Sequence, residues 1–244
     1  MPDSPTIVLV HGAFADSSSW SAVHHELKGD GLTVLAPPNP LRGLAYDAAY
    51  TSAVLDQIDG PVILVGHSYG GAVITVAGAT DKVVGLVYVA GYAPDEGEAL
   101  GPLGGRFPDP PLLATLQFTP YPVPGADDAT ECKIDPAQFP TIFAADVPRE
   151  VTEFLAIAQR PLAAAVFEEP AAAAAWKSTP SWGLVPTGDT AINPDLHRFS
   201  YQRAGMTTIE VDGASHAVAL SQPKVVADFI RQAVVGVGSV AGSA

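Results

Sequence analysis

The chain has 244 residues, of which 48% are hydrophobic and 16% charged, so it can bury a large core without a disulfide or a metal. Its 12 Lys and Arg against 26 Asp and Glu give a net charge of −14, which argues against nucleic-acid and anionic membrane partners. Because Cys132 is the only cysteine and the start lacks a basic, apolar leader, we expect a cytoplasmic protein without disulfides or metal.

The first 92 residues alternate between apolar runs and segments with helical character. The runs are Thr6–Val10, Leu32–Leu35, Pro61–Val65 and Val83–Val89. Strands that are apolar along their whole length are typical of a sheet buried on both faces. The helical segments are Ser19–Lys28, Tyr46–Ile58 and Ala72–Ala79. The alternation predicts βαβ units and a parallel sheet.

Residues 93–180 have a different composition. Ten prolines fall between Pro102 and Pro148, and proline at this density disfavours long helices and central strands. Helical character returns at Pro148–Arg160 and Ala171–Lys177. We expect an insertion over the sheet, with residues 1–92 and 181–244 forming the core. Its many apolar side chains either form a small core of their own or line a pocket as a lid.

The earlier pattern resumes at residue 181. We predict strands at Ser181–Pro186 and Thr207–Val211, and helices at Pro194–Ala204 and Pro223–Val235. The Gly- and Ser-rich tail, Gly236–Ala244, is expected to be frayed.

The strongest motif is Gly66-His67-Ser68-Tyr69-Gly70, a G-x-S-x-G sequence between a predicted strand and a predicted helix. This is the setting of a nucleophile elbow, in which the serine lies on a sharp turn above the sheet. The backbone there is strained and crowded, so the positions two before and two after the serine must be small. Ser68 is therefore the candidate nucleophile.

A second motif, His11-Gly12-Ala13-Phe14, directly follows the first strand. Acyl transfer develops negative charge on a carbonyl oxygen and needs two N–H donors beside the nucleophile. We expect these donors to be the backbone amides of Ala13 and Tyr69. His11 is interpreted as a structural residue that braces this loop.

A serine nucleophile needs a base, and the base needs an orienting acid. Of the six histidines, only His216 follows a late strand in a loop, at the sheet edge where active sites of open α/β folds gather. Asp189 follows the preceding strand and is the candidate acid. Asp195 is expected to cap a helix, and Asp212 is too near His216 along the chain to face its ring. The chain order Ser68, Asp189, His216 is the hydrolase order.

These residues together resemble the α/β-hydrolase superfamily from Ile7 to Ile230. Val8–Phe14, with Trp20 downstream, is similar to the plant methylesterase and hydroxynitrile lyase branch and its bacterial relatives. The resemblance implies a helical lid after Gly91, no cofactor, and the same triad and oxyanion donors. The lyases place a lysine where this chain has Ala217, which disfavours cyanohydrin cleavage.

Because the first strand begins near Thr6, the superfamily's usual first two strands have no room. We therefore predict six parallel strands in the order 2-1-3-4-5-6, with the first and third side by side.

The functional hypothesis is a serine esterase that acts on a small to medium, neutral or apolar ester through an acyl-enzyme. Lactone opening, C–C hydrolysis and perhydrolysis on the same triad remain alternatives, as does a receptor-like protein with residual turnover. Candidate pocket residues are Phe14, His67, Phe118 and Phe143. The partner is a small molecule, and the chain is a monomer or a homodimer.

Overall fold

The computed structural model describes residues 4–241 and is built on a six-stranded sheet in the order β2-β1-β3-β4-β8-β9. All neighbouring strands of this sheet are parallel. The predicted fold class and strand order are therefore confirmed. The strands within the described residues are β1 Thr6–Val10, β2 Val34–Leu35, β3 Val62–His67, β4 Val83–Val89, β5 Leu116–Tyr121, β6 Ala129–Ile134, β7 Leu162–Ala163, β8 Ser181–Pro186 and β9 Thr207–Val211.

Helices cover both faces of the sheet. The α-helices are α1 Ser21–Leu27, α2 Leu44–Asp56, α3 Tyr69–Ala77, α4 Leu100–Gly104, α5 Phe139–Ile142, α6 Arg149–Ile157, α7 Pro194–Arg203, α8 Val218–Ser221 and α9 Pro223–Ala241. In the described part of the chain, no helix is both long and apolar enough to cross a membrane.

The core consists of one apolar layer on each face of the sheet. In β1, Val8 and Val10 point into the layer shared with α2 and α3, while Ile7 and Leu9 point into the layer shared with α1 and α9. Successive side chains of a strand face opposite sides, so a strand covered on both faces is apolar at every position. This is why the central strands were recognisable as continuous apolar runs.

The predicted second strand, Leu32–Leu35, is shorter than expected, with only Val34 and Leu35 paired to β1. It lies at the edge of the sheet, and Leu35 is 40% exposed there. An edge strand has a neighbour on one side only, and short edge strands limit pairing with other chains.

Residues 93–180 contribute no strand to the six-stranded sheet and instead contain a separate antiparallel sheet in the order β5-β6-β7. The expectation of a helical lid is therefore wrong in part, because α4, α5 and α6 are short and a sheet lies among them. Pro120 is tolerated because β5 is an edge strand. The predicted helix Ala171–Lys177 is also wrong, since only Ala175–Lys177 forms a 3-10 turn.

The closing helix is longer than the predicted Pro223–Val235, and residues 236–241 of the predicted frayed tail are helical. Gly236 lies against the Trp182 ring, and a Cβ placed on it would come within 2.5 Å of that ring. The glycine thus permits close packing of the helix on the sheet and does not end it. Residues 242–244 of the predicted tail lie outside the described residues.

Candidate active site

Ser68 occupies the turn between β3 and α3 with a backbone φ of 55° and ψ of −124°. A positive φ is strained for a residue with a side chain and indicates a functional position. The turn is closely packed, because a Cβ on Gly66 would lie 2.5 Å from the carbonyl oxygen of Gly70. A Cβ on Gly70 would likewise overlap the carbonyl oxygen of Val10. Both flanking glycines are therefore required by space.

The loop after β1 lies beside Ser68, because Val10 pairs with Gly66 where the two strands end. A Cβ on Gly12 would come within 2.6 Å of the Ser68 Cβ, so the backbone of this loop directly adjoins the serine. Within residues 4–241, neither the Ala13 nor the Tyr69 amide donates to a protein acceptor. Both amides are therefore available as hydrogen-bond donors next to the serine.

His11 holds this loop in place from inside the protein. Its Nε2 accepts a hydrogen bond from the Asn39 amide at 2.9 Å, and the Asn39 side chain donates to the His11 carbonyl at 3.1 Å. Burial lowers the pKa of His11 to about 4, so the ring is neutral near pH 7. These contacts correspond to the bracing role expected of this histidine.

The structure brings His216 and Asp189 together at the ends of β9 and β8. His216 Nδ1 donates to Asp189 Oδ2 at 2.7 Å, and the side chains are 1% and 0% exposed. Asp189 Oδ1 accepts from the amides of Ala191 and Ile192 at 2.7 and 2.9 Å. Burial alone would raise the pKa of Asp189, but the His216 and His197 imidazoles hold it well below its ordinary value. The acid is thus ionised and fixed in orientation.

The two other candidate acids have different partners. The expectation that Asp195 caps its helix is wrong, because Asn193 is the N-cap and accepts from the Asp195 amide, while the Asp195 side chain pairs with Arg198 at 2.8 Å. Asp212 accepts from the Thr187 hydroxyl at 3.1 Å. Asp189 is therefore the carboxylate oriented toward His216.

His197 is a second imidazole at the same carboxylate, and it was not predicted as a site residue. Its Nε2 lies 3.4 Å from Asp189 Oδ2, and its ring stacks on Tyr201 with centroids 5.7 Å apart. The buried positions of α7 include His197, Ser200 and Tyr201, which lie on one helix face. A histidine on the inward face of the helix after the acid is the signal that could have identified it.

Ser68 and His216 border the same cavity, which has a volume of about 410 Å³ and will be called the catalytic cavity. Within the described residues, Ser68 Oγ makes no hydrogen bond to His216. Serine–histidine hydrogen bonds are often long or poorly aligned without substrate and tighten in the reacting complex.

The predicted pocket residues have different outcomes. Phe14 and Phe143 line the catalytic cavity, and His67 lines an adjoining cavity. Phe118 does not reach either one, because it lies on β5 with 57% of its surface exposed. The prediction placed Phe118 by its apolar character alone, whereas residues 117–120 of β5 are all exposed, so this part of the edge strand is uncovered on both faces.

His67 supports the loop that carries His216. Its Nε2 donates to the His216 carbonyl oxygen at 2.9 Å, and the two ring centroids are 4.8 Å apart. Burial is the main cause that lowers the pKa of His67 to about 3. His67 is therefore a neutral donor near pH 7.

The insertion also holds this loop, through contacts that the sequence did not predict. Asp146 accepts hydrogen bonds from the Ser215 hydroxyl and, at 3.1 Å, from the Ser215 amide. The Ala217 amide donates to the Phe143 carbonyl oxygen at 3.0 Å. Both neighbours of His216 along the chain are thus attached to the insertion. In residues 4–241, no group of three or more His, Cys, Asp or Glu side chains is arranged to hold a metal ion.

Comparison with known families gives one match over nearly the whole chain. The sequence profile of the "Alpha/beta hydrolase family" matches residues 7–229. A comparison with curated protein sequences gives no match.

Solved structures share the architecture at low sequence identity. Polyneuridine aldehyde esterase superposes with a TM-score of 0.81 and 20% identity, covering 94% of this chain and 99% of that chain. For a pyrethroid hydrolase from Sphingobium faniae JZ-2, the TM-score is 0.76, the identity 21%, and the coverage 94% and 97%. For methylesterase MES16 from Arabidopsis, the TM-score is 0.76, the identity 17%, and the coverage 95% and 99%. At these identities the likeness extends to the fold alone.

Proposed function

Since the chain belongs to the alpha/beta hydrolase family, we propose that it is a carboxylesterase-like hydrolase that cleaves a neutral carboxylic ester through an acyl-enzyme on Ser68. The observation that carries this proposal is the convergence of Ser68 and the Asp189–His216 pair on one cavity. A strained nucleophile, an oriented imidazole and free amides beside them form the arrangement that acyl transfer requires.

In the proposed reaction, Ser68 Oγ attacks the ester carbonyl carbon while His216 Nε2 accepts the seryl proton. The Asp189 carboxylate holds the His216 Nδ1 proton and stabilises the imidazolium that forms. The negative charge on the carbonyl oxygen is stabilised by the amides of Ala13 and Tyr69. Proton transfer requires Ser68 Oγ and His216 Nε2 to come within hydrogen-bonding distance in the reacting complex.

Collapse of the tetrahedral intermediate breaks the bond to the alcohol oxygen, and His216 donates its proton to that oxygen. The neutral imidazole next takes a proton from water, which attacks the acyl carbon. Departure of the acid regenerates Ser68. We also propose that residues 93–180 act as the lid, because Phe143, Leu162 and Phe167 of this segment line the catalytic cavity.

The proposal is tested by turnover of p-nitrophenyl butyrate by the wild type and by Ser68→Ala. We expect the variant to lose activity by at least about three orders of magnitude, since it lacks the nucleophile. Ser178→Ala is the matched control, because Ser178 is exposed and lines neither the catalytic cavity nor the adjoining one. Wild-type rates in Ser68→Ala would refute the assignment.

The same assay separates the receptor-like alternative from the esterase. Sustained release of p-nitrophenol over many turnovers supports the esterase, whereas one equivalent of product followed by arrest indicates single turnover. A panel of lactones alongside the esters distinguishes ring opening from ester cleavage on the same triad.

A further inference from the structure

The catalytic cavity lies between two other cavities in the described structure. One, of about 590 Å³, is lined by Phe139, Leu155, Ala217 and Leu220 and will be called the histidine-side cavity. The other, of about 530 Å³, is lined by Leu100, Gly104, Pro110 and Leu196 and will be called the distal cavity.

Aromatic side chains separate these three spaces. Phe14 and Phe143 border both the catalytic and the histidine-side cavity. The catalytic and the distal cavity share four wall residues, which are Tyr92, Leu100, Phe167 and Ile192. Phe143 and Phe167 both come from the insertion, so this segment supplies a partition on each side of Ser68.

The walls select against anionic substrates. Over the part of the chain that the structure describes, no lysine or arginine lines any of the three cavities. The acidic residues that do line them are Asp16 in the histidine-side cavity and Asp109 in the distal cavity. A carboxylate on a substrate would therefore lose hydration without gaining a cation.

The position of His216 indicates on which side of Ser68 the alcohol part and the acyl part of the ester lie. His216 must donate a proton to the leaving oxygen, so the alcohol part of the ester has to lie beside its ring. Phe143 packs edge-on against that ring with centroids 4.8 Å apart, and Ala217 follows His216 in the wall of the histidine-side cavity. The acyl part is then left with the opposite side, toward Phe167.

We propose that Phe143 limits the size of the leaving alcohol and that Phe167 limits the length of the acyl chain. The substrate class is a neutral ester that is apolar on both sides of the carbonyl. This inference rests on the proposed function, because it divides the space around the same nucleophile.

The test uses two ester series on the wild type, Phe143→Ala and Phe167→Ala. The first series consists of acetates of primary alcohols from one to eight carbons, and the second of p-nitrophenyl esters of acids from two to twelve carbons. Within each enzyme, kcat/KM is expressed relative to the shortest ester, so a general loss of activity cancels. Phe118→Ala is the matched control, since Phe118 is another insertion phenylalanine that is 57% exposed and outside the cavities.

We expect Phe143→Ala to raise the relative kcat/KM of the longer alcohols by about fourfold per newly buried methylene, with an unchanged acyl profile. Phe167→Ala is expected to do the reverse, and Phe118→Ala to change neither profile. Phe143→Leu provides a milder enlargement if the alanine variant does not fold. Variants that shift both profiles alike, shift the opposite profile or shift neither overturn the proposal.

The charge of the substrate is tested separately with p-nitrophenyl butyrate and the p-nitrophenyl half-ester of succinic acid. We expect the wild type to prefer the neutral ester by about tenfold or more. Equal kcat/KM values would overturn the neutral substrate class. Failure of the proposed function would be seen independently, as wild-type activity in Ser68→Ala.

Discussion

Acid should destabilise this protein through two buried histidines, His11 and His67. Burial lowers their pKa values to about 4 and about 3, from an ordinary value of 6.5. Both rings are neutral in the folded protein near pH 5, whereas the same rings are protonated in the unfolded chain. The unfolded state therefore binds more protons as the pH falls, and the free energy of unfolding decreases.

The size of the effect follows from these values. A histidine with a depressed folded pKa contributes its full stabilisation above the unfolded value of 6.5 and loses it as the pH falls toward the folded value. A pH of 5.0 is about 1.5 units below the pKa of each ring in the unfolded chain, so each histidine lowers the free energy of unfolding by about 2 kcal/mol. The lowered pKa of Asp189 does not change the stability between pH 7.5 and pH 5.0, because the stabilisation that it provides is lost only as the pH approaches and falls below the ordinary value of 3.8.

The assay is urea unfolding of the wild type and of His11→Gln at pH 7.5 and pH 5.0. Glutamine retains an acceptor for the Asn39 amide but does not titrate. We expect the wild type to lose about 2 kcal/mol more than His11→Gln between the two pH values. His24 is exposed and provides the control, since His24→Gln should lose as much free energy of unfolding between the two pH values as the wild type does. An equal pH dependence in the wild type and His11→Gln would refute the reasoning.

Three further substitutions test the geometry of the site. Gly66→Ala should abolish esterase activity, because the new Cβ would lie 2.5 Å from the Gly70 oxygen, and circular dichroism should show a retained fold. Asp146→Asn should lower kcat with little change in KM, because it weakens the hold on Ser215; steady-state kinetics measure both. Tyr201→Phe should lower the free energy of unfolding in urea by about 1–3 kcal/mol, because it removes two buried hydrogen bonds.

Each of these predictions has an outcome that contradicts it. Full activity in Gly66→Ala would mean that the turn accommodates a side chain. A rise in KM alone in Asp146→Asn would assign that residue to substrate binding, and Asp128→Asn is the control, since Asp128 is an exposed insertion carboxylate. A Tyr201→Phe variant as stable as the wild type would mean that water replaces the lost bonds.

The core of the fold was predictable because its determinants are local. In the central strands, apolar side chains face both sides of the sheet, as burial on both faces requires, and Gly66 is required by its contact with Gly70 inside the elbow. Apolar patterns of this kind can be recognised without knowledge of distant contacts. The order of the strands came instead from the resemblance to the α/β-hydrolase superfamily.

The insertion was less predictable because its structure depends on distant pairing. Strand β6 is neither continuously apolar nor cleanly alternating, and it is held by pairing with β5 and β7. The same limit applies to Asp146, which meets Ser215 across 69 positions of the chain. The position of Phe118 on an exposed strand face was likewise set by pairing that composition does not reveal. Cytoplasmic location and oligomeric state stay predictions from the sequence.

The most direct measurement is the site of reaction with diisopropyl fluorophosphate, determined by intact-mass spectrometry and peptide mapping. We predict one adduct on Ser68 in the wild type, no adduct in Ser68→Ala, and labelling slowed by about two orders of magnitude or more in His216→Ala. An unlabelled wild-type protein, or an adduct on another residue, would contradict the assignment of Ser68 as the activated nucleophile.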